Sequence, residues 1–161
     1  MEEIIKQTIG LFRQGSAVLL GMKIRGFGMG LWNGPGGKPE ENEDVEISFR
    51  REVSEESGLA VGRIERVAFI EFRFVDKPER ILETTVFNVL EFSGEPKDTE
   101  EMGRWQWFNE KDIPYADMWS ADKEWLPLLL AGKKIRGQVL YDSKETRRII
   151  SKNFWEAADF N

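Results

Sequence analysis

The chain has 161 residues, 40% hydrophobic and 32% charged, a size and balance suited to one soluble domain with a real core. It contains neither cysteine nor histidine, which excludes disulfides, thiolate nucleophiles, zinc-thiolate sites, Ser-His-Asp triads and histidine-ligated metals. The net charge of −6 argues against a nucleic-acid polymer as partner, and no apolar run is long enough for a bilayer or a signal peptide. A single domain over 1–161, cytoplasmic and monomeric, is therefore expected.

In chain order, Gln7–Arg13 and Ala17–Ile24 read as strands joined through Gln14-Gly15-Ser16. A glycine-rich loop follows from Arg25 to Gly37. Its Gly26-Phe27-Gly28-Met29-Gly30 imitates a dinucleotide-binding turn, but Leu31 stands where the third glycine belongs and no helix pattern opens behind it. The next segment reads as an amphipathic helix, with Asn42 as N-cap and Glu43 and Asp44 in the first turn. Val45, Phe49 and Val53 form its core-facing stripe, and Gly58 suits the left-handed residue that ends it.

Val67–Phe74 alternates as a half-buried strand, with Ile70, Phe72 and Phe74 opposite Glu71 and Arg73. The turn signal Asp76-Lys77-Pro78 leads to a strand over Thr84–Phe92, closed by Gly94-Glu95-Pro96. Arg104–Phe108, Ile135–Tyr141 and Arg148–Trp155 read as later strands. Ala121–Leu130 reads as a helix whose start, or kink, depends on Pro127. Strands around one long helix and a later one predict an α/β protein, a mixed sheet between helices. Lys144, Arg147, Arg148 and Lys152 make a modest basic cluster that suits a solvated strand edge.

The chemistry is concentrated in Glu52, Glu55 and Glu56. At i, i+3 and i+4 these carboxylates project from one side of the helix and repel one another. A hard divalent cation reverses that sign, since Mg²⁺ takes carboxylate oxygens and shares its other positions with water and substrate phosphates. The alternative is a solvated charged face. Arg51 either pairs with Glu43 or orients one of the acids. Without histidine, proton transfer falls to Glu, Asp, Lys, Tyr or a metal-activated water.

Gly37, five residues, Glu43, seven residues, then Arg51-Glu52-Val53-Ser54-Glu55-Glu56-Ser57-Gly58-Leu59 matches the Nudix box at every fixed position. The resemblance implies an α/β/α sandwich with a mixed β-sheet and Mg²⁺ as cofactor, with Mn²⁺ able to substitute. It also implies that Glu43 and Arg51 are structural supports and that the Gly37 carbonyl joins a metal shell of Glu52, Glu55, Glu56 and Glu101. These four glutamates are the candidate catalytic residues, and Glu52, Glu56 or Glu101 would be the base if the protein supplies one. Glu101 otherwise reads as an exposed acidic turn.

Beyond the box, Leu19-Leu20-Gly21-Met22-Lys23, Arg25-Gly26-Phe27-Gly28, Trp32-Asn33-Gly34, Asp117-Met118-Trp119 and Trp125–Leu130 resemble the eukaryotic MutT-type oxidised-purine nucleoside triphosphatases. The likeness runs from about Thr8 to Tyr141. It implies hydrolysis of a small nucleotide such as 8-oxo-dGTP to the monophosphate and pyrophosphate. It also places Asn33, Trp119 and Asp122 at the base, with Thr8, Lys23 and Tyr141 near the pocket. The residue types suit this: Trp119 can stack on a purine, Phe27 and Phe72 can line the slot, and Asn33 can donate and accept at a base edge.

Each has a plainer reading as well: core for the aromatics, a turn for Asn33, an exposed strand position for Lys23, an N-cap for Asp122. One departure bears on base choice. Those enzymes carry two adjacent aspartates after the tryptophan, whereas this chain reads Trp119-Ser120-Ala121-Asp122. A Nudix enzyme acting on other nucleoside diphosphate derivatives or unmodified nucleotides, or a non-catalytic nucleotide-binding module, are the alternatives.

Overall fold

The computed structural model describes residues 1–160. Strands β1 (Glu3–Gln14) and β2 (Ala17–Lys23) form a hairpin through Gly15, whose φ of +57° suits the tight turn. A short strand, β3 (Trp32–Asn33), precedes helix α1 (Val45–Ser57). After β4 (Ala60–Val61) come the long strands β5 (Ile64–Phe74) and β6 (Arg80–Val89), then β7 (Phe92–Ser93) and β8 (Met102–Asn109). Two 3₁₀ turns lead to helix α2 (Asp122–Leu130), and β9 (Ile135–Tyr141) and β10 (Ile149–Glu156) follow.

The main sheet runs β10-β9-β5-β6-β1-β2-β3, with β8 also paired to β2, while β4 and β7 make a separate two-stranded piece. It is mixed: β1 lies parallel to β6 and β5 parallel to β9, and the other pairs are antiparallel. Side chains alternate across it. Leu11, Leu20 and Val86 join one buried cluster with Trp125, Leu126 and Leu129 of α2, whereas Phe12, Leu19 and Phe87 join another with Phe49 and Val53 of α1. The two helices therefore cover opposite faces, giving the three-layer α/β/α arrangement.

Several sequence expectations need correction. Asn42 is not the N-cap: it sits in the preceding turn at φ +63°, a conformation asparagine tolerates. Asp44 caps α1 instead, its Oδ1 accepting from the N–H groups of Glu46 at 2.9 Å and Ile47 at 3.2 Å. Glu43 consequently lies outside the helix. The strand expected at Thr84–Phe92 begins earlier, at Arg80, and stops at Val89, because Leu90 and Glu91 turn back toward Arg63 and Gly62 through backbone bonds. Phe92 belongs to β7 instead. Helix α2 passes through Pro127 and begins at Asp122, with Ala121 as an N-cap that offers no side-chain bond.

β1 and β2 pair only at Arg13–Val18 and Gln14–Ala17 and then diverge. The segment 34–37 fills the wedge between them. Pro35 accepts from the Gly10 N–H at 2.7 Å and Gly37 from the Thr8 N–H at 2.8 Å. Glycine is required for this approach: a Cβ on Gly34 would overlap the Gly10 carbonyl, and one on Gly36 the Thr8 carbonyl. No helix among the described residues is long and apolar enough to cross a membrane.

Candidate active site

A cavity of about 460 Å³ opens at this wedge, within the usual range for small-molecule sites. Glu52, Glu55, Glu56 and Glu101 line one end of it, and Phe27, Phe72, Phe74, Trp119, Asp122 and Tyr141 the other. Thr8, Lys23, Asn33 and Gly37 also line it, so all the candidate ligand-contacting residues reach one cavity.

The acidic end is built on α1. Glu56 is only 4% exposed, and the sole donor to its carboxylate among the described residues is the Gly36 N–H, 3.3 Å away. Burial pushes its carboxyl up to about 7, opposed by the charge of Lys23 and reinforced by Glu52 and Glu101. Burial likewise raises Glu52, against the neighbouring Arg51 guanidinium, with Glu55 and Glu101 adding to the rise.

Arg51 bridges Glu43 and the acidic face of α1. Its Nε and Nη2 each donate to Glu43 at 2.9 Å, and Nη1 donates to Glu52 at 2.9 Å and Glu55 at 3.0 Å. That fork holds the Glu43 carboxyl down at about 2. Across the cavity, Arg25 donates to Glu101 through Nε at 3.0 Å and Nη2 at 2.5 Å, and Lys23 approaches at 3.5 Å. The Arg25 bonds, before burial opposes them, hold the Glu101 carboxyl below its usual range.

Four mutually repelling carboxylates, one of them buried with a single long hydrogen bond, form an all-oxygen donor set that fits a hard divalent cation. Among the described residues no three acids already converge at ion distance, since arginines hold the outer ones. The Gly37 carbonyl is engaged within the protein. It accepts from both the N–H and the hydroxyl of Thr8, at 2.8 and 3.1 Å, and so is turned into the strand edge. Thr8 in turn accepts from the Gly37 N–H at 3.2 Å, which makes it a fastener of the loop.

At the other end, Asp122 is 5% exposed, and its Oδ1 accepts from the Trp125 indole N–H at 3.1 Å. It is therefore not the N-cap of α2. Burial, partly offset by that bond, pushes its carboxyl up to about 8. A neutral Asp122 can donate a hydrogen bond as well as accept one. Asn33 turns its Oδ1 to the Gly34 N–H at 2.9 Å, leaving the amide NH₂ for a ligand. Tyr141 is fully buried: its hydroxyl accepts from the Ala121 N–H at 3.1 Å, and its ring stacks 6.0 Å from Phe72. Burial, with the Asp122 charge, raises the phenol above its usual range.

Phe27 stacks on Trp119 at 5.0 Å with 28° between planes. The loop carrying Phe27 has Gly26, Gly28 and Gly30 at φ of +79°, +84° and +86°, and it forms turns instead of a nucleotide-binding helix start. Sequence reasoning missed Arg25 and Lys38, which also line the cavity. Arg25 lies in a segment that carries the family resemblance, but nothing local directs it toward Glu101. Lys38 directly follows Gly36-Gly37, and its Nζ lies 6.0 Å from the Phe27 ring.

Comparison with known proteins agrees with this geometry. The NUDIX domain model matches residues 7–129. An "Oxidized purine nucleoside triphosphate hydrolase" of Mus musculus is 44% identical over 153 residues, covering 95% of this chain and 96% of that protein. The protein of the same description from Danio rerio is 43% identical over 130 residues, covering 81% and 82%. In fold, a MutT protein from Bacillus halodurans superposes with a TM-score of 0.80 at 23% identity, over 93% of this chain and 97% of that one. With Gly37, Glu52, Glu55 and Glu56 of the box lining one cavity and relatives matching along nearly the whole length, the chain belongs to the Nudix hydrolase family, whose members generally use divalent metal ions.

Proposed function

We propose that this Nudix hydrolase cleaves an oxidised purine nucleoside triphosphate, such as 8-oxo-dGTP, to the monophosphate and pyrophosphate, with Mg²⁺ as the cation. The observation that carries the reading is the single cavity with carboxylates at one end and an aromatic slot with a buried acid at the other. The description shared by the mouse and zebrafish relatives supports the substrate class. In this reading the chain acts as one cytoplasmic, monomeric domain.

Glu52, Glu55, Glu56 and Glu101 would hold the cation, with Glu43 and Arg51 fixing the acidic helix face. Bound there, Mg²⁺ would polarise phosphoryl oxygens and lower the pKa of the attacking water. Lys23 and Arg25, both paired with Glu101, would supply positive charge beside the phosphates. Asn33 and Asp122 meet the base edge, Trp119 stacks on the purine, and Phe27 and Phe72 line the slot. Water adds one oxygen to phosphorus, pyrophosphate leaves, and the water's proton passes to a carboxylate.

Ala121 bears on which base is preferred, because one acid at that edge discriminates donor and acceptor patterns differently from two. The test is hydrolysis of 8-oxo-dGTP, 2-oxo-dATP, dGTP and dATP with Mg²⁺, Mn²⁺ or EDTA, with products identified. Pyrophosphate release with a clear preference for an oxidised purine, abolished by EDTA, is expected. Equal or faster turnover of unmodified nucleotides would overturn the substrate assignment. Binding without turnover would overturn the enzymatic one.

A further inference from the structure

Three consecutive residues at the base end of the cavity are fastened to the β9–β10 hairpin, whose connection spans 142–148. The Arg147 guanidinium lies over the Trp119 ring, 5.8 Å from its centroid. The Ser120 hydroxyl donates to the Arg147 carbonyl at 2.5 Å, and the Ala121 N–H donates to the Tyr141 hydroxyl at 3.1 Å. Neither the family motifs nor the proposed reaction uses the connection after Tyr141.

The connection is itself tied down. The Asp142 Oδ1 accepts from the N–H groups of Ser143 at 2.6 Å and Arg148 at 2.9 Å. The Arg147 N–H reaches the Ser143 carbonyl at 2.9 Å, and its Nη1 the Lys144 carbonyl at 3.4 Å. Arg147 also takes a φ of +52°, where glycine would be the default residue. An arginine held in that conformation, with its charge over an indole, supplies a cation–π contact that glycine could not.

We propose that Arg147 is a positioning residue for base recognition. It holds the Trp119 ring in the orientation that stacks on the purine, while the Ser120 bond sets the height of the hairpin. Arg147 does not line the cavity, so it acts on the substrate through the residues it touches, and its side chain does so chiefly through Trp119. The proposal rests on the reading that a purine triphosphate places its base at the Trp119 end. Because the carboxylates lie at the far end, the effect falls on substrate affinity and leaves the chemical step alone.

The experiment compares wild type, Arg147→Gly and Arg147→Lys in steady-state hydrolysis of 8-oxo-dGTP and of a pyrimidine triphosphate, with thermal melting alongside. Arg147→Gly relaxes the backbone and keeps the carbonyl that Ser120 uses, so the fold should be retained. The expected result is KM for the oxidised purine raised about three- to tenfold with kcat within about twofold. A smaller change for the pyrimidine and partial recovery in Arg147→Lys complete the expected pattern. An unchanged KM in Arg147→Gly, or a fall in kcat without a change in KM, overturns the proposal. A wild-type enzyme that does not turn over purine triphosphates would instead overturn the functional reading beneath it.

Discussion

Asp122 gives the most direct test of the site's electrostatics. Its carboxyl, on the first residue of α2, is buried with the Trp125 indole N–H as its one donor among the described residues, and burial raises it to about 8. In the unfolded chain an aspartate titrates near ~3.9. The folded protein therefore keeps a proton that the unfolded chain releases between those values. The associated stability is complete below the unfolded pKa and is lost as pH rises through the folded one. Integrated from pH 5 to pH 8, the loss is on the order of 3–4 kcal/mol.

Asn at this position keeps the shape and the oxygen that accepts from Trp125 but cannot ionise. Urea unfolding of wild type and Asp122→Asn at pH 5, 6, 7 and 8 isolates the effect, because every other titrating group cancels in the difference. The expected outcome is a steady gain of the variant relative to wild type, by the amount above, as pH rises. A difference that stays constant across this range would refute the reasoning and place an ionised carboxylate in the pocket at neutral pH.

Other changes probe separate parts of the molecule. Glu56→Gln should nearly abolish turnover without lowering the urea midpoint at pH 8, because it removes a buried charge that has one hydrogen-bond donor among the described residues; near-normal activity would remove Glu56 from the reaction. Gly36→Ala should lose activity and stability together, since its Cβ would overlap the Thr8 carbonyl, and a variant with unchanged melting would show that β1 can yield there. Phe49→Ala, at a fully buried position under α1, should cost about 3–5 kcal/mol in denaturant unfolding with little change in residual kcat.

The acidic half of the site was legible in the sequence because its geometry is local. Glu52, Glu55 and Glu56 share one helix, so their spacing alone brings them to one side. The stripe of Val45, Phe49 and Val53 likewise fixed which side of α1 meets the core, with Phe49 and Val53 fully buried. The base half depends on long-range placement and was visible only through resemblance. Nothing in the local sequence says that Tyr141 supports Ala121, or that Arg25 reaches Glu101, 76 residues away. Misplaced boundaries have local causes too. Asn42 offers a cap side chain, but its backbone is spent in a turn and Asp44 does the capping. Arg80 opens β6 ahead of the apolar alternation because the parallel partner, β1, extends to Glu3.

The segment from Asn33 to Gly37 acts as a ruler. Asn33 presents its amide at the base end, and four residues on, Gly37 packs against the Glu52 side chain so closely that a Cβ would lie 2.5 Å from its carboxyl carbon. Four extended steps span at most about 14 Å. Both the middle and the far end are pinned to β1 through Pro35 and Gly37, so the span cannot stretch independently at either side. Under the proposed function, a substrate must match a fixed separation between ring and phosphate. Length selection is thereby written into the backbone, ahead of any choice the side chains make among bases.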